Sequence, residues 1–172
     1  MLELNKIYTE DIEMAVARYF NYRTNLIVPN ISWGMFLGHE CDLFVLTKAG
    51  YGYEAEIKIT KQDIKIDLQK KHKHNSNKIR KLYFAMPEYL EGNINLIPER
   101  AGILIIYKTR TYRNTGWYFH CRKTREAMIN SKYKFTEQER YNLARLGSMR
   151  IWGLKRRIRD IAQERQQLKQ GV

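Results

Sequence analysis

The chain has 172 residues and a mass of 20.6 kDa, enough for one compact domain with an appended helix. A total of 31 Lys and Arg against 18 Asp and Glu leaves a formal charge of +13, while 44% of residues are hydrophobic and 12% aromatic; this excludes a disordered basic tail and makes a polyanion, nucleic acid first, the expected partner. No apolar run approaches the roughly 18 residues of a membrane helix, the acidic start MLELNKIYTEDIE is unlike a signal peptide, and Cys41 and Cys121 are too few for a disulfide framework. The expectation is a cytoplasmic protein with no membrane partner, both cysteines serving as buried small apolar residues.

In chain order, the first helix is expected from about Thr9 to Asn21, with Thr9 as N-cap and an apolar stripe of Ile12, Ala15, Val16, Tyr19 and Phe20. Glu13 lies on the border of that stripe and Glu10 points away from it. Pro29, Gly34 and Gly38 then break the chain. Residues 39–47 read as a strand, Gly50 and Gly52 as a turn, and Tyr53 to Ile59 as the second strand of a β-hairpin. Thr60 and Asp63 form a capping box opening a helix that carries Ile64 and Leu68 and becomes basic at Lys70, Lys71, His72, Lys73 and His74. The two histidines, two residues apart on a helix, are assigned to solvent. Residues 79–86 read as a strand stopped by Pro87, so strand, helix and strand make a parallel crossover. Ile103 to Lys108 and Trp117 to Cys121 are further strands around a turn at Arg113 to Gly116. A tail helix opens with the capping box Thr136 and Glu139, and Arg150, Lys155, Arg156, Arg157 and Arg159 make it the most basic stretch.

Charge is unevenly placed. Residues 1–60 hold five Lys/Arg against eight Asp/Glu, a net of −3, so the remainder carries +16. Alternation along the second hairpin strand puts Glu54, Glu56 and Lys58 on one face, and a hairpin can lay Asp42 beside Glu56. Two carboxylates on adjacent strands with a lysine two residues beyond one of them suit Mg²⁺, which takes a few carboxylate oxygens and leaves places for a phosphate oxygen and an attacking water. Lys58 would orient that water or stabilise charge developing on the phosphate. The competing reading is an edge strand with a charged outer face, Glu54 and Lys58 being solubilising residues. Against it, Asp42 sits beside the apolar run Leu43 to Leu46, where an unpaired charge is costly. Tyr107, Tyr112, Trp117, Tyr118 and Trp152 suit stacking on unpaired bases, although aromatics at strand spacing are more often core.

An acidic helix, a strand carrying Asp42, a turn, Glu56-Ile57-Lys58 and a helix resemble the PD-(D/E)xK nuclease superfamily. The run ECDLFVLTKAGYGYEAEIKITKQDIKIDLQKKHKH with LYFAMPEYL and IPERAGILII is similar to MmcB-type DNA-repair proteins and related phage and bacterial proteins. The resemblance covers roughly residues 10–110. It implies an α/β, restriction-endonuclease-like core, a central mixed sheet flanked by helices over residues 1–135, with a basic C-terminal helical extension over 136–172. It implies Mg²⁺-dependent hydrolysis of DNA phosphodiesters in repair, recombination or phage DNA processing, with Mn²⁺ able to substitute. Asp42 and Glu56 match the metal-binding acids, with the Ile57 carbonyl as a further ligand, Lys58 the motif's lysine and Glu13 the acid of the first helix. Cys41 stands where the motif has Pro, and Glu54 and Glu10 remain alternatives to Glu56 and Glu13. Asp63 and Asp67 match an acidic spacing in the relatives and equally suit capping and an i,i+4 pair with Lys71. Lys61, Lys70, Lys71, Arg150, Lys155, Arg156 and Arg157 are the expected phosphate contacts. A noncatalytic DNA-binding or scaffolding protein, an RNA-directed protein, and a homodimer stay open.

Overall fold

The computed structural model describes residues 6–31, 39–70, 74–111 and 116–170. Gly34, Gly38, Lys71, His72, Lys73, Tyr112 and the turn residues Arg113 to Thr115 lie outside them. The elements are α1 (Thr9–Tyr19), β1 (Leu26–Ile31), β2 (Cys41–Leu46), β3 (Gly52–Ile57), α2 (Lys61–Leu68), β4 (Ile79–Pro87), a 3₁₀ helix (Glu88–Leu96), β5 (Gly102–Arg110), β6 (Trp117–Arg125) and α3 (Glu137–Gln170). The six strands form one mixed sheet in chain order, parallel between β3, β4 and β5 and antiparallel elsewhere.

Local chemistry sets the helix starts. Thr60 and Asp63 cap α2 reciprocally, at 3.1 and 2.9 Å. Thr136 and Glu139 do the same before α3, at 3.3 and 2.8 Å. In α1 the cap is Tyr8 rather than Thr9: the Tyr8 amide donates to the Asp11 carboxylate at 3.0 Å. The break expected at Pro29 is instead a strand. β1 is an edge of the sheet, where a residue without an N–H costs no ladder bond, and Pro29 faces Leu43 there. Next to it Asn30 takes φ 52°, a left-handed conformation that Asn tolerates better than most residues.

One sheet face is dry. Ile12, Ala15 and Val16 of α1 cover Leu43, Ala55, Ile57, Tyr83, Leu104 and Ile106. The opposite face carries two apolar clusters. Phe44, Leu46, Val28 and Ile79 pack with Phe135 and Leu143 at the start of α3, while Leu82, Phe84, Met86, Ile103 and Ile105 pack with Ile64 of α2 and Leu90 of the 3₁₀ helix. Glu54 of β3 pairs with Phe44 on one side and Leu82 on the other, so a charged seam runs between the two clusters. Among the described residues α3 buries apolar side chains only near its beginning, at Leu143; Met149 and the large apolar side chains after it are exposed, Ile158 by 67%. Among the described residues no helix is long and apolar enough to cross a membrane.

Candidate functional site

The alternation in β3 is as expected, but its charged face does not meet solvent: Glu54 and Glu56 are 0% and Lys58 4% exposed. A strand with parallel β4 on one side and β2 on the other is central and covered on both faces. The solubilising role considered for Glu54 and Lys58 is therefore excluded. Charges buried this way persist only with partners. Lys58 Nζ donates to Glu56 Oε2 and to Asp67 Oδ1, both at 2.9 Å. Lys70 Nζ lies 2.8 Å from the same Asp67 oxygen and 3.9 Å from Glu56 Oε2. Asp67 is thus an interior hub, and Lys70 is held against it rather than turned freely to a phosphate. Asp63 keeps its capping role.

Asp42 stands where the β2–β3 ladder ends. The last pair of the ladder is Leu43 opposite Ala55, and the Asp42 carboxylate accepts from the β3 amide beyond it, that of Ile57, at 2.8 Å. Asp42 is half-buried and Glu40 exposed. Glu13 is half-buried on α1 and its carboxyl is pushed up by burial first, then by Glu10 and by Asp42, which puts the Glu13 and Asp42 charges in one neighbourhood. Glu10 is exposed. Burial pushes the Glu56 carboxyl up to about 7; Lys58 opposes the rise and Asp42 adds to it. Asp42 thus acts electrostatically on both Glu13 and Glu56, while Lys58 is bonded to Glu56. Burial alone would lower Lys58, but Glu56 and Asp67 outweigh it, so the ammonium holds its proton.

His74 departs furthest from the sequence expectation. α2 ends at Leu68, so His74 is not on a helix face; it is buried, with φ 52°. Its Nδ1 lies 2.7 Å from Glu54 Oε1 and its Nε2 2.8 Å from Asp67 Oδ2. Burial would lower its pKa, but Asp67 and Glu54 raise it to about 9. His39, not singled out from the sequence, is also buried, its Nε2 2.7 Å from the same Glu54 oxygen. Burial disfavours the Glu54 and Asp67 carboxylates, yet bonds from the two histidines to Glu54, and from His74, Lys70 and Lys58 to Asp67, hold both below the usual range. One signal for these partners is present in the sequence: two acids and one base on a strand flanked by a parallel crossover need a further cation. Nothing local names which residue supplies it.

Among the described residues, three groups bring acid, imidazole or thiol ligand atoms within 4.8 Å of one another: His39, Glu54 and His74; Cys41, Glu54 and Glu56; Glu56, Asp67 and His74. Asp42 belongs to none of them. Of the expected phosphate contacts, Lys61, Arg150, Lys155, Arg156 and Arg157 are exposed, and Arg150 donates to the Asn30 carbonyl. Arg150 and Arg157 line a cavity of about 350 Å³ with Glu10, Glu13, Pro29 and Asn30. Trp117, Tyr118 and Trp152 are exposed rather than core, Trp152 by 64%. Lys108 and Arg18 sit over the Trp117 and Tyr118 rings at 4.6 and 4.7 Å. Cys41 is buried as expected, while Cys121 is only partly so.

No protein-family model matches the chain, and no curated protein matches it. Among solved structures, a protein of unknown function from Silicibacter pomeroyi, SPO1766, is similar in fold, with a TM-score of 0.60 and 17% identity over 92% of this chain and 96% of that one. At that identity the likeness describes the architecture: an α/β chain with a six-stranded mixed sheet, flanking helices and a C-terminal helix.

Proposed function

We propose that the chain is a metal-dependent nuclease that hydrolyses DNA phosphodiesters, its core a restriction-endonuclease-like sheet. The observation that carries this reading is the grouping of Asp42, Glu56 and Lys58 at the point where β2 and β3 stop pairing, with Glu56 Oε1 buried and without a hydrogen-bond partner among the described residues; Glu13, on α1, feels the Asp42 charge. An all-oxygen donor set of two acids fits Mg²⁺. Asp42 and Glu56, with the Ile57 carbonyl, would hold the ion, and Mn²⁺ would replace it; when bound it supplies positive charge against the phosphate and acidifies a water. Lys58, protonated and tied to Glu56, acts as a fixed cation that fastens the Glu56 carboxylate and stabilises charge on the phosphate, not as a general base. Arg150 and Arg157, sharing a cavity with Glu13, supply the complementary surface for the DNA backbone. Exposed Trp117 and Tyr118 with Lys108 and Arg18 favour a substrate with unpaired bases.

A second reading, DNA binding without turnover, is favoured by one observation: Lys58 is already engaged by both Glu56 and Asp67. Incubation of single-stranded, duplex and branched DNA with Mg²⁺ or Mn²⁺ separates the two. Metal-dependent cleavage lost in both Asp42→Ala and Glu56→Ala supports the nuclease. Salt-sensitive binding with no product, or cleavage unchanged in both variants, overturns it.

A further inference from the structure

Burying Glu54 creates a need that a nuclease site at Asp42 does not meet. Both imidazoles converge on one of its oxygens: His39 Nε2 and His74 Nδ1 each lie 2.7 Å from Oε1. Its other oxygen, Oε2, is buried with no hydrogen-bond partner among the described residues, and Glu56 Oε1, equally unpartnered, lies 3.7 Å from His74 Nδ1. An unpaired carboxylate oxygen in the interior is costly. Two such oxygens, neither accepting a hydrogen bond among the described residues, stand beside one imidazole pair.

We propose that His39, His74 and Glu54 form a binding site for a divalent first-row transition metal ion of the zinc class, on the same face of the sheet as Asp42 but with a donor set that does not include it. The donor set selects the ion: two imidazole nitrogens and one carboxylate suit zinc, cobalt or ferrous iron, whereas Mg²⁺ and Ca²⁺ prefer oxygen alone. Spacing fits as well. Ligands at about 2.0–2.2 Å from a tetrahedral ion stand about 3.3 Å apart; the ligand atoms of His39, Glu54 and His74 all lie within 4.8 Å of one another, and the two imidazoles, at 2.7 Å from Glu54 Oε1, need to move outward only by a fraction of an ångström. An ion would push the two imidazoles off the single oxygen they share and engage Glu54 Oε2. His74 is already oriented for the task. Asp67 Oδ2 lies 2.8 Å from its far nitrogen, as outer carboxylates hold metal-binding histidines and raise their basicity. Glu56 Oε1, 3.7 Å from His74 Nδ1, would be near enough to accept from a water completing the ion's coordination, and Glu56 is also a residue of the proposed Mg²⁺ site. The site requires no cleavage activity and stands or falls independently of the nuclease reading.

The test uses the untagged full-length chain, stripped with a chelator and titrated with Co²⁺ and then Zn²⁺. One equivalent of Co²⁺ with visible d–d absorption is expected, displaced by Zn²⁺ and unaffected by millimolar Mg²⁺. Asp42→Asn should keep this binding, whatever it does to DNA cleavage. His39→Gln and Glu54→Gln should abolish it, and Asp67→Asn should weaken it about 10- to 100-fold. X-ray absorption of the zinc-loaded wild type should show scattering from two imidazoles, a readout that needs no variant to fold. A folded wild type that takes up no Co²⁺, an absorption spectrum with oxygen ligands only, or folded His39→Gln and Glu54→Gln variants that bind as wild type would each overturn the site.

Discussion

The two faces of β3 are built from one six-residue strand and could hardly differ more. Ala55 and Ile57 point into the dry cluster under α1, while Glu54 and Glu56, with Lys58 just beyond the strand end, lie equally buried on the opposite face. On the α1 side stability comes from area and fit, which are non-directional. On the other side it depends on each charge finding its counterpart, because the desolvation cost of a buried ion is recovered only by well-placed partners. Buried charges with displaced pKa values of this kind are also what a working site needs, which is why the proposed function is placed on that face.

The largest expected effect breaks the charged face. Lys58→Met leaves Glu56 and Asp67 without their shared ammonium and should cost about 3–5 kcal/mol in urea unfolding. Adding Glu56→Leu should return part of that loss, since an apolar replacement of the whole pair is tolerated better than half of it. No recovery would show that Lys58 matters through packing.

Next comes a test of fit on the α1 side. A Cβ on Gly102 would stand 2.4 Å from the Tyr83 ring and 2.9 Å from the Ala127 amide nitrogen. Gly102→Ala should cost about 1–3 kcal/mol by overpacking. The loss should not vary with pH, unlike any loss on the charged face.

A smaller effect belongs to the ion pair that fastens α3. Burial would raise Glu139, but Lys78 at 2.5 Å, the Thr136 amide and Tyr133 outweigh it and hold its carboxyl at about 2. A carboxyl depressed in the folded state contributes stability that is complete above its unfolded value near 4.5 and lost as pH falls towards 2. Glu139→Gln should therefore lower stability at pH 7, flatten the acid limb between those values and change little near pH 2.

The smallest effect on folding is expected on the exposed half of α3. Replacing Lys155, Arg156 and Arg157 together by Gln should leave stability within about 0.5 kcal/mol. If these residues contact DNA, the slope of log affinity against log salt should become shallower by about 0.9 for each phosphate they no longer neutralise. An unchanged slope would move the DNA surface elsewhere, Trp117 and Tyr118 on β6 being the next place to look.

Much of the hairpin is legible in the sequence because its information is local. Side chains two apart on a strand share a face whatever surrounds them, so spacing alone groups Glu54, Glu56 and Lys58 and identifies the two capping boxes. β1 is not legible, because Pro29 reads as a breaker unless its strand is known to be an edge. His74 escapes for a related reason: the basic run after Leu68 reads as a continuation of the helix, whereas the chain leaves the helix there and turns His74 inward onto Asp67 and Glu54.

The +13 charge is visible in the amino-acid sequence, and so is its division into an acidic first third and a +16 remainder. Composition, alternation and capping by themselves determined an α/β chain with Asp42, Glu56 and Lys58 on adjoining strands. Only the tertiary structure decided that this charged face is interior, and that His39 and His74, 15 and 20 residues from Glu54, meet on one of its oxygens. The physical reason is that periodicity fixes which face a side chain takes, whereas what covers that face depends on strand order and on the path of the loops.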